Sequence, residues 1–570
     1  MFKVITNKDG QIQEIQTSLS AHGLMDNPLL NKGTAFSKEE RDAFDLHGKL
    51  PIQVESLSSQ LMRVYRQFQE KNDNIQKNIF LNTLHDSNTT LFYKFCSQHV
   101  DEVLPIVYTP TVGDAVEQYS SEFRRPAGVY LAYDEQKQMD KILGNIAKKQ
   151  QIDFIIVTDG EAVLGIGDWG IGGMDISIGK LMVYIICAGI NPANVLPVQL
   201  DVGTNNQKLL DDPMYLGARH PRITGKKYDQ FIEKFVMSVK KHFPNVYLHW
   251  EDFGRDHARA ILETYRDQLC TFNDDMQGTG IVATANVISA IKATQTKFTD
   301  HKVVMFGAGT AGCGIMDQIL DAFIASGMTR KQALDRFYII DRFGLVVDDM
   351  PDLPDFQKPY AKARKQLKNW NINNHENISL LEVVQNAKAT ILIGCSTVKG
   401  AFNKPIVTSM AQNIERPIIM PLSNPNSHCE ATPEDLINWT NAKAIIAAGS
   451  PFEPVVYQGK TYQISQGNNA FIFPGLGLGA IAVKATKMSD GMIRVASETL
   501  ASFSPLHQSV DNPVLPPIHD ATIVSKAVAI AVAKQAIKEG LSSIKAKEAD
   551  VEKLVNNAQW IPDYYPLRKQ

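Results

Sequence analysis

HKVVMFGAGTAGCGIMDQILDAFIAS, residues 301–326, holds three parts in order: the wholly apolar run Val303–Phe306, a glycine-rich turn, and a helical run. A dinucleotide site needs that order, because the helix N-terminus meets the pyrophosphate. In Gly307-Ala308-Gly309-Thr-Ala-Gly312, Gly307 permits the tight turn, Gly309 the close approach of backbone to ligand, and Gly312 close helix packing. The next apolar run, Phe337–Ile340, ends in Asp341. An acid there accepts hydrogen bonds from the adenine ribose hydroxyls, which favours NAD over NADP. The separation from Gly307 to Asp341 exceeds the usual twenty or so residues, so the intervening helix and loop must be long. Arg342 pulls the other way, because a guanidinium there could meet a 2′-phosphate. An ordinary strand–helix turn is the bland alternative.

Two other glycine clusters compete. Gly165-Ile-Gly167-Asp-Trp-Gly170 carries an acid that would repel a pyrophosphate and reads as a substrate-side turn. Gly475-Leu-Gly477-Leu-Gly479 opens a helix but follows Pro474, with no second strand–helix unit after it. Around the 307 cluster, FYIID, ATILIG, RPIIMPLS and AKAIIAAGS read as further buried strands alternating with helices. That alternation predicts an α/β fold with a Rossmann-type parallel-sheet domain over 277–464. DFIIVTDGEAVLGIG reads as strand–turn–strand, NVYLHWEDF as a strand, and 179–188 and 226–243 as helices. They define an α/β catalytic domain over 126–276, completed by the helical segment 465–545. Residues 1–125 read as a helical region at an oligomer interface, with Leu57, Leu61, Val64, Tyr65 and Phe68 at helical spacing. Residues 546–570 read as a polar tail covering the surface.

At 570 residues the chain has room for several domains at roughly 150 residues each. Its 58 basic and 61 acidic residues nearly cancel, which argues against nucleic-acid binding through bulk positive charge. Six cysteines, none in a Cys-x-x-Cys pair, exclude a disulfide scaffold and suit a reducing compartment. No apolar run approaches the roughly 20 residues of a membrane helix, and MFKVITNKDG lacks a signal-peptide layout. The expectation is a cytoplasmic enzyme.

Carboxylates supply the next clue. Glu251-Asp252 closes an apolar strand, and Asn273-Asp274-Asp275 follows another. Adjacent strand residues point to opposite faces, so Glu251 and Asp252 share a ligand only if the chain bends, and Gly254 makes a bend plausible. Oxygen-only ligands select Mg²⁺ or Mn²⁺ over zinc. Alternatively, Asp274 or Asp275 simply caps the helix starting near Thr279. Lys180 stands in a long apolar context, which suits either a base of lowered pKa or a snorkelling helix lysine. Tyr108 in YTPTVG is a proton donor or a buried ring. Asn424, in Pro421-Leu-Ser-Asn-Pro425, follows a sheet strand, where ligands gather, and Asn468-Asn469 precede a Pro-Gly turn; plain turns explain both equally.

Taken together, YTPTVG, VTDGE…LGIGDWG…GKL, HWEDFGR, TFNDDMQGTG, FGAGTAGCGI, PLSNPN and GNNAFIFPGLGLG occur in one order that resembles the malic enzyme family from about residue 30 to 540. The resemblance implies that Glu251, Asp252 and Asp275 bind Mn²⁺ or Mg²⁺. It implies Lys180 as the general base for L-malate, Asp274 beside it, and Tyr108 as the acid that protonates the enol. Asn424 and Asn469 would hold substrate, with Asn468 towards the nicotinamide, and Gly307, Gly309 and Gly312 would hold NAD. A homodimer or homotetramer is also implied.

One departure stands out. Many members carry Arg after the Gly-Glu of VTDGE, where it pairs with a substrate carboxylate; here that position is Ala162. Neutralisation would fall to the metal or to another Arg such as Arg124 or Arg255. Its absence, with GDWG and DISIGKLMVY, resembles malolactic enzymes, whereas YTPTVG and FRRPAGVYLAY resemble bacterial malic enzymes proper. Oxidative decarboxylation to pyruvate, CO₂ and NADH is the first expectation, and the malolactic outcome, L-lactate with NAD retained, the second. Rivals of other kinds are a non-catalytic NAD- or metabolite-binding regulator and an amino-acid dehydrogenase, which needs no metal.

Overall fold

The computed structural model describes residues 2–7, 12–122 and 125–570. Two parallel sheets organise it. The first runs, in spatial order, Val129–Ala132, Val195–Asp201, Phe154–Thr158, Tyr247–Trp250, Thr271–Asn273, all parallel. Its strands are almost wholly buried because helices cover both faces: Phe231, Phe235 and Val239 of the helix Lys226–His242 are fully buried on one side. On the other lies Met174–Ala188. That helix belongs to an apolar stretch, 170–188, long and apolar enough to cross a membrane, contrary to the expectation from the sequence; 94% of it lies inside the fold.

The second sheet runs Gly344–Leu345, Phe337–Asp341, Val303–Phe306, Ile391–Gly394, Ile418–Pro421, Ile445–Ala448, Ser465–Gln466. Only the edge strand Gly344–Leu345 is antiparallel; the other edge strand, Ser465–Gln466, pairs parallel. Strand order reverses between Val303–Phe306 and Ile391–Gly394, which opens a crevice at their carboxyl ends. In the first sheet the reversal falls beside Phe154–Thr158 and Tyr247–Trp250.

The helices Phe473–Ala482 and Ala521–Lys538 pack on each other and on Met174–Ala188, so the later chain returns to the first sheet. Gly475 and Gly479 permit this. A Cβ on Gly475 would stand 2.5 Å from Ser525 O, and one on Gly479 2.6 Å from Ala529 O. The third glycine cluster is therefore a helix-packing seam.

Residues 1–125 are mostly helical but also hold two strands: Phe2–Thr6 and Ile12–Thr17 pair antiparallel, and Leu567–Lys569 adds a third strand parallel to the second. Two expectations fail. Residues 546–570 are not a surface cover, because Val551, Val555 and Leu567 are buried and Tyr564 hydrogen-bonds Gln60 and Asn88. After Phe154–Thr158 no second strand follows. Glycines bend residues 159–170 into a loop closed by one bridge, Val163 to Gly167.

Candidate active site

Four side chains meet at the carboxyl edge of the first sheet. Lys180 projects from the helix Met174–Ala188 and is 2% exposed. Its Nζ donates to Asp274 Oδ2 at 2.6 Å, Glu251 Oε1 at 2.8 Å and Tyr108 Oη at 2.8 Å. Tyr108 also donates to Glu251 Oε1 at 3.2 Å. The rings of Phe473 and Tyr108 lie 4.4 and 4.9 Å from the ammonium. Asn469 closes the group, its Nδ2 donating to Asp274 Oδ2 at 3.1 Å.

Glu251 and Asp252 do share one space, but Gly254 is not the cause. Asp252 itself adopts φ +55°, a left-handed conformation that Asp tolerates better than most residues, and this turns its side chain beside that of Glu251. Asp275 completes a trio whose oxygens lie within 4.8 Å of one another. It is held by the Asp252 N–H, which donates to Asp275 Oδ2 at 2.8 Å. Residues 274–278 form a wide π-helical turn leading into the helix Thr279–Ala293. Asn273, not an aspartate, caps it by accepting from Met276 N–H.

Electrostatics separates these groups. Burial pushes the Lys180 ammonium down, but attraction to Asp274 and Glu251 outweighs it and holds the pKa well above the usual lysine value. A lowered pKa, expected from the apolar sequence context, is therefore not what this arrangement gives. Burial raises Glu251, yet Lys180 and His249 together bring it down to about 2. Burial, then repulsion from Asp275 and Glu251, pushes Asp252 well above the carboxylate range. Burial and Glu251 push Asp275 up to about 8. Tyr108 is raised by burial and by Glu251. Asp252 Oδ2 is buried with no hydrogen-bond donor among the described residues. An unpartnered buried oxygen in a trio of mutually repelling carboxylates fits a small divalent cation, and all-oxygen donors suit Mg²⁺ or Mn²⁺.

The second sheet supplies the other wall. Gly307 adopts φ +107°, and a Cβ there would run into Cys395 of the neighbouring strand end. Gly312 packs against Gly307 in the same way. Gly309 has open space where a Cβ would stand, so a ligand can reach the backbone at the start of the helix Thr310–Ala325. Asp341 ends its strand, and Gln357 bridges it to the turn: Nε2 donates to Asp341 Oδ2 at 2.9 Å and to Ala308 O at 2.7 Å. These features fit a dinucleotide. The Arg342 guanidinium lies over the Phe343 ring at 4.7 Å.

The remaining candidates lie apart from Lys180. Asn424 is exposed, takes a hydrogen bond from Ser450 Oγ, and its backbone approaches Gly165, so the substrate-side turn faces the second sheet. Asn468 caps the turn that carries Asn469 by accepting from Ala470 N–H at 2.9 Å. Asp168 of that substrate-side turn pairs with buried Arg222 at 2.7 Å. Arg255 is exposed at the start of the helix Arg255–Tyr265 and lines a cavity of about 1000 Å³ with Gly309 and Thr310; Arg124 lies outside the described residues. His249, Arg222 and Gln357 were not singled out from the sequence. For His249 a signal existed, because it lies two residues before Glu251 and so on the same strand face.

Comparison with known proteins identifies the family. The profile described as "Malic enzyme, N-terminal domain" matches residues 85–266, and "Malic enzyme, NAD binding domain" matches 276–537. "NAD-dependent malic enzyme 3" of Bacillus subtilis is 48% identical over 558 residues, covering 97% of this chain and 98% of the relative. "NAD-dependent malic enzyme" of Photorhabdus laumondii is 48% identical, covering 95% of each. Among solved structures, a malic enzyme of Entamoeba histolytica shares the fold with TM-score 0.55 at 22% identity, over 90% of each chain. With both halves matched in order and relatives this similar along nearly their whole length, the chain belongs to the malic enzyme family.

Proposed function

We propose that the protein catalyses the NAD- and divalent-metal-dependent oxidative decarboxylation of L-malate to pyruvate, CO₂ and NADH. The observation that carries the reading is the meeting of Lys180 with Tyr108, Glu251 and Asp274 beside the carboxylate trio. Glu251, Asp252 and Asp275 would hold the cation, which when bound supplies a Lewis acid for the malate C2 oxygen and neighbouring carboxylate. Gly307, Ala308, Gly309 and Gly312 would cradle the NAD pyrophosphate and Asp341 would accept from the adenine ribose, and the dinucleotide when bound would supply the hydride acceptor for C2. Asn468 would lie towards the nicotinamide.

The proton work belongs to the chain. Lys180 first gives its ammonium proton up to solvent, since the hold of Glu251 on that proton weakens when the carboxylate is shared with a cation, and the neutral amine then takes the malate hydroxyl proton while Asp274 keeps Nζ in place. Tyr108, whose raised pKa keeps it protonated, gives a proton to C3 after CO₂ leaves. Asn424 and Asn469 hold the substrate between the two sheets.

Relatives 48% identical that are called NAD-dependent malic enzymes favour the oxidative outcome over the malolactic one. A non-catalytic regulator has no use for the proton-transfer pair. Six cysteines without a disulfide, five of them buried, suit a cytoplasmic setting. The N-terminal region, where Ile52 and Met62 stand exposed, is the face proposed for a homodimer or homotetramer.

The test is a two-channel assay with L-malate, NAD and Mn²⁺. NADH absorbance should rise in step with pyruvate measured by chromatography, and chelation should stop both. Lactate without net NADH would replace this reading with the malolactic one. Product formed at full rate after chelation would remove the metal from it.

A further inference from the structure

Glu251 is shared by two groups of the site. It belongs to the trio with Asp252 and Asp275, and its Oε1 accepts from Lys180 and Tyr108. Its other oxygen is also engaged. His249, on the strand Tyr247–Trp250, places Nε2 2.6 Å from Glu251 Oε2. The remaining ring nitrogen, Nδ1, lies 2.7 Å from Tyr184 Oη, on the helix that carries Lys180. His249 and Tyr184 have no exposed surface, and Glu251 is 2% exposed. Phe272 and Phe473 meet the imidazole edge-on, with centroids at 5.6 and 6.3 Å, so the ring is held on its flanks as well as at both nitrogens.

The donors and acceptors run in one direction. A carboxylate only accepts, so Nε2 carries the proton toward Glu251. In the neutral ring Nδ1 is then an acceptor, and the Tyr184 hydroxyl donates to it. Each member fixes the next.

We propose that His249 is a positioning residue for the divalent metal. It pins the rotation of the Glu251 carboxylate through Nε2–H, while Tyr184 pins the imidazole, so Glu251 stays turned toward Asp252, Asp275 and Lys180. The proposal rests on the carboxylate site proposed above. His249 touches neither cation nor substrate. It acts by removing a side-chain rotation that metal binding would otherwise have to freeze. Outer partners of ligating side chains are typically worth about 10–100-fold in metal affinity.

The test measures Mn²⁺ binding directly, from the electron paramagnetic resonance of the free ion, without malate or NAD. The proteins are the parent, His249→Phe, His249→Gln and Tyr184→Phe. His249→Phe should weaken Mn²⁺ by about 10–100-fold, and His249→Gln, which keeps an amide donor, should restore part of that loss. NAD affinity should be the same in all four, which a general disturbance of the fold would not allow. Tyr184→Phe deletes one hydroxyl that acts on the metal site only through His249, and should weaken Mn²⁺ by less than His249→Phe does. A folded His249→Phe with parental affinity for Mn²⁺ overturns the proposal. If that variant does not fold, parental affinity in Tyr184→Phe overturns it instead. A parent protein that binds no Mn²⁺ overturns the carboxylate site and this inference with it, a failure distinct from the other two.

Discussion

Lys180 balances two buried carboxylates, and this gives it a structural duty besides its proposed chemical one. Lys180→Ala should lower kcat by about 10²–10⁴-fold, as loss of a general base does, while NAD affinity is retained. The same change leaves Glu251 and Asp274 buried without their cation, so metal-free protein should lose about 3–5 kcal/mol of stability. Thermal unfolding with and without Mn²⁺ separates the effects: the metal should recover part of the stability and none of the rate. Unchanged turnover would remove Lys180 from the role of base. At this scale the sequence is informative about residue types and order, because motifs such as HWEDFGR and TFNDDMQGTG carry the reacting side chains in short runs. It is silent on what depends on backbone angle or distant charge. The left-handed turn at Asp252 has no glycine to announce it, and the raised pKa of Lys180 comes from Glu251 and Asp274, 71 and 94 residues away.

Elements place these residues, and two of them offer separate tests. The helices Phe473–Ala482 and Ala521–Lys538 approach closely because Gly475 has no side chain. Gly475→Ala should force them apart at a cost of about 1–3 kcal/mol, read as a lower denaturant midpoint. Equal midpoints would show that the seam has slack. His301, just before the strand Val303–Phe306, is buried between Thr296 and Thr390. Burial lowers its pKa from 6.5 to about 4. The unfolded chain takes up a proton below pH 6.5 that the folded one refuses until about pH 4, so stability falls as pH drops through that window. Between pH 7 and 5 the contribution is about 2 kcal/mol, and His301→Gln should flatten the dependence by that amount in urea unfolding. Parallel strands such as FYIID and ATILIG are readable from sequence because burial on both faces makes them apolar throughout. The strands Phe2–Thr6 and Ile12–Thr17 are not, since they are partly exposed and mix polar with apolar residues, and the third strand, paired with Ile12–Thr17, comes from the far end of the sequence.

Across the whole molecule, Leu567–Lys569 joins the far end of the chain to its beginning. Lys32, Glu40 and the Leu567 N–H meet in a buried cluster, and Tyr564 spans Gln60 and Asn88. Removing residues 559–570 should leave the first parallel sheet intact but loosen residues 12–100. Amide exchange in Ile12–Thr17 should then quicken by at least about tenfold, while that of Phe154–Thr158 stays as it was. Equal protection in both would mean that the third strand adds nothing. The same closure also imposes an order on biosynthesis. At about 5–20 residues per second, a ribosome completes the third strand roughly 30–110 s after the second, so the hairpin of Phe2–Thr6 and Ile12–Thr17 waits with an open edge until Leu567–Lys569 has been made.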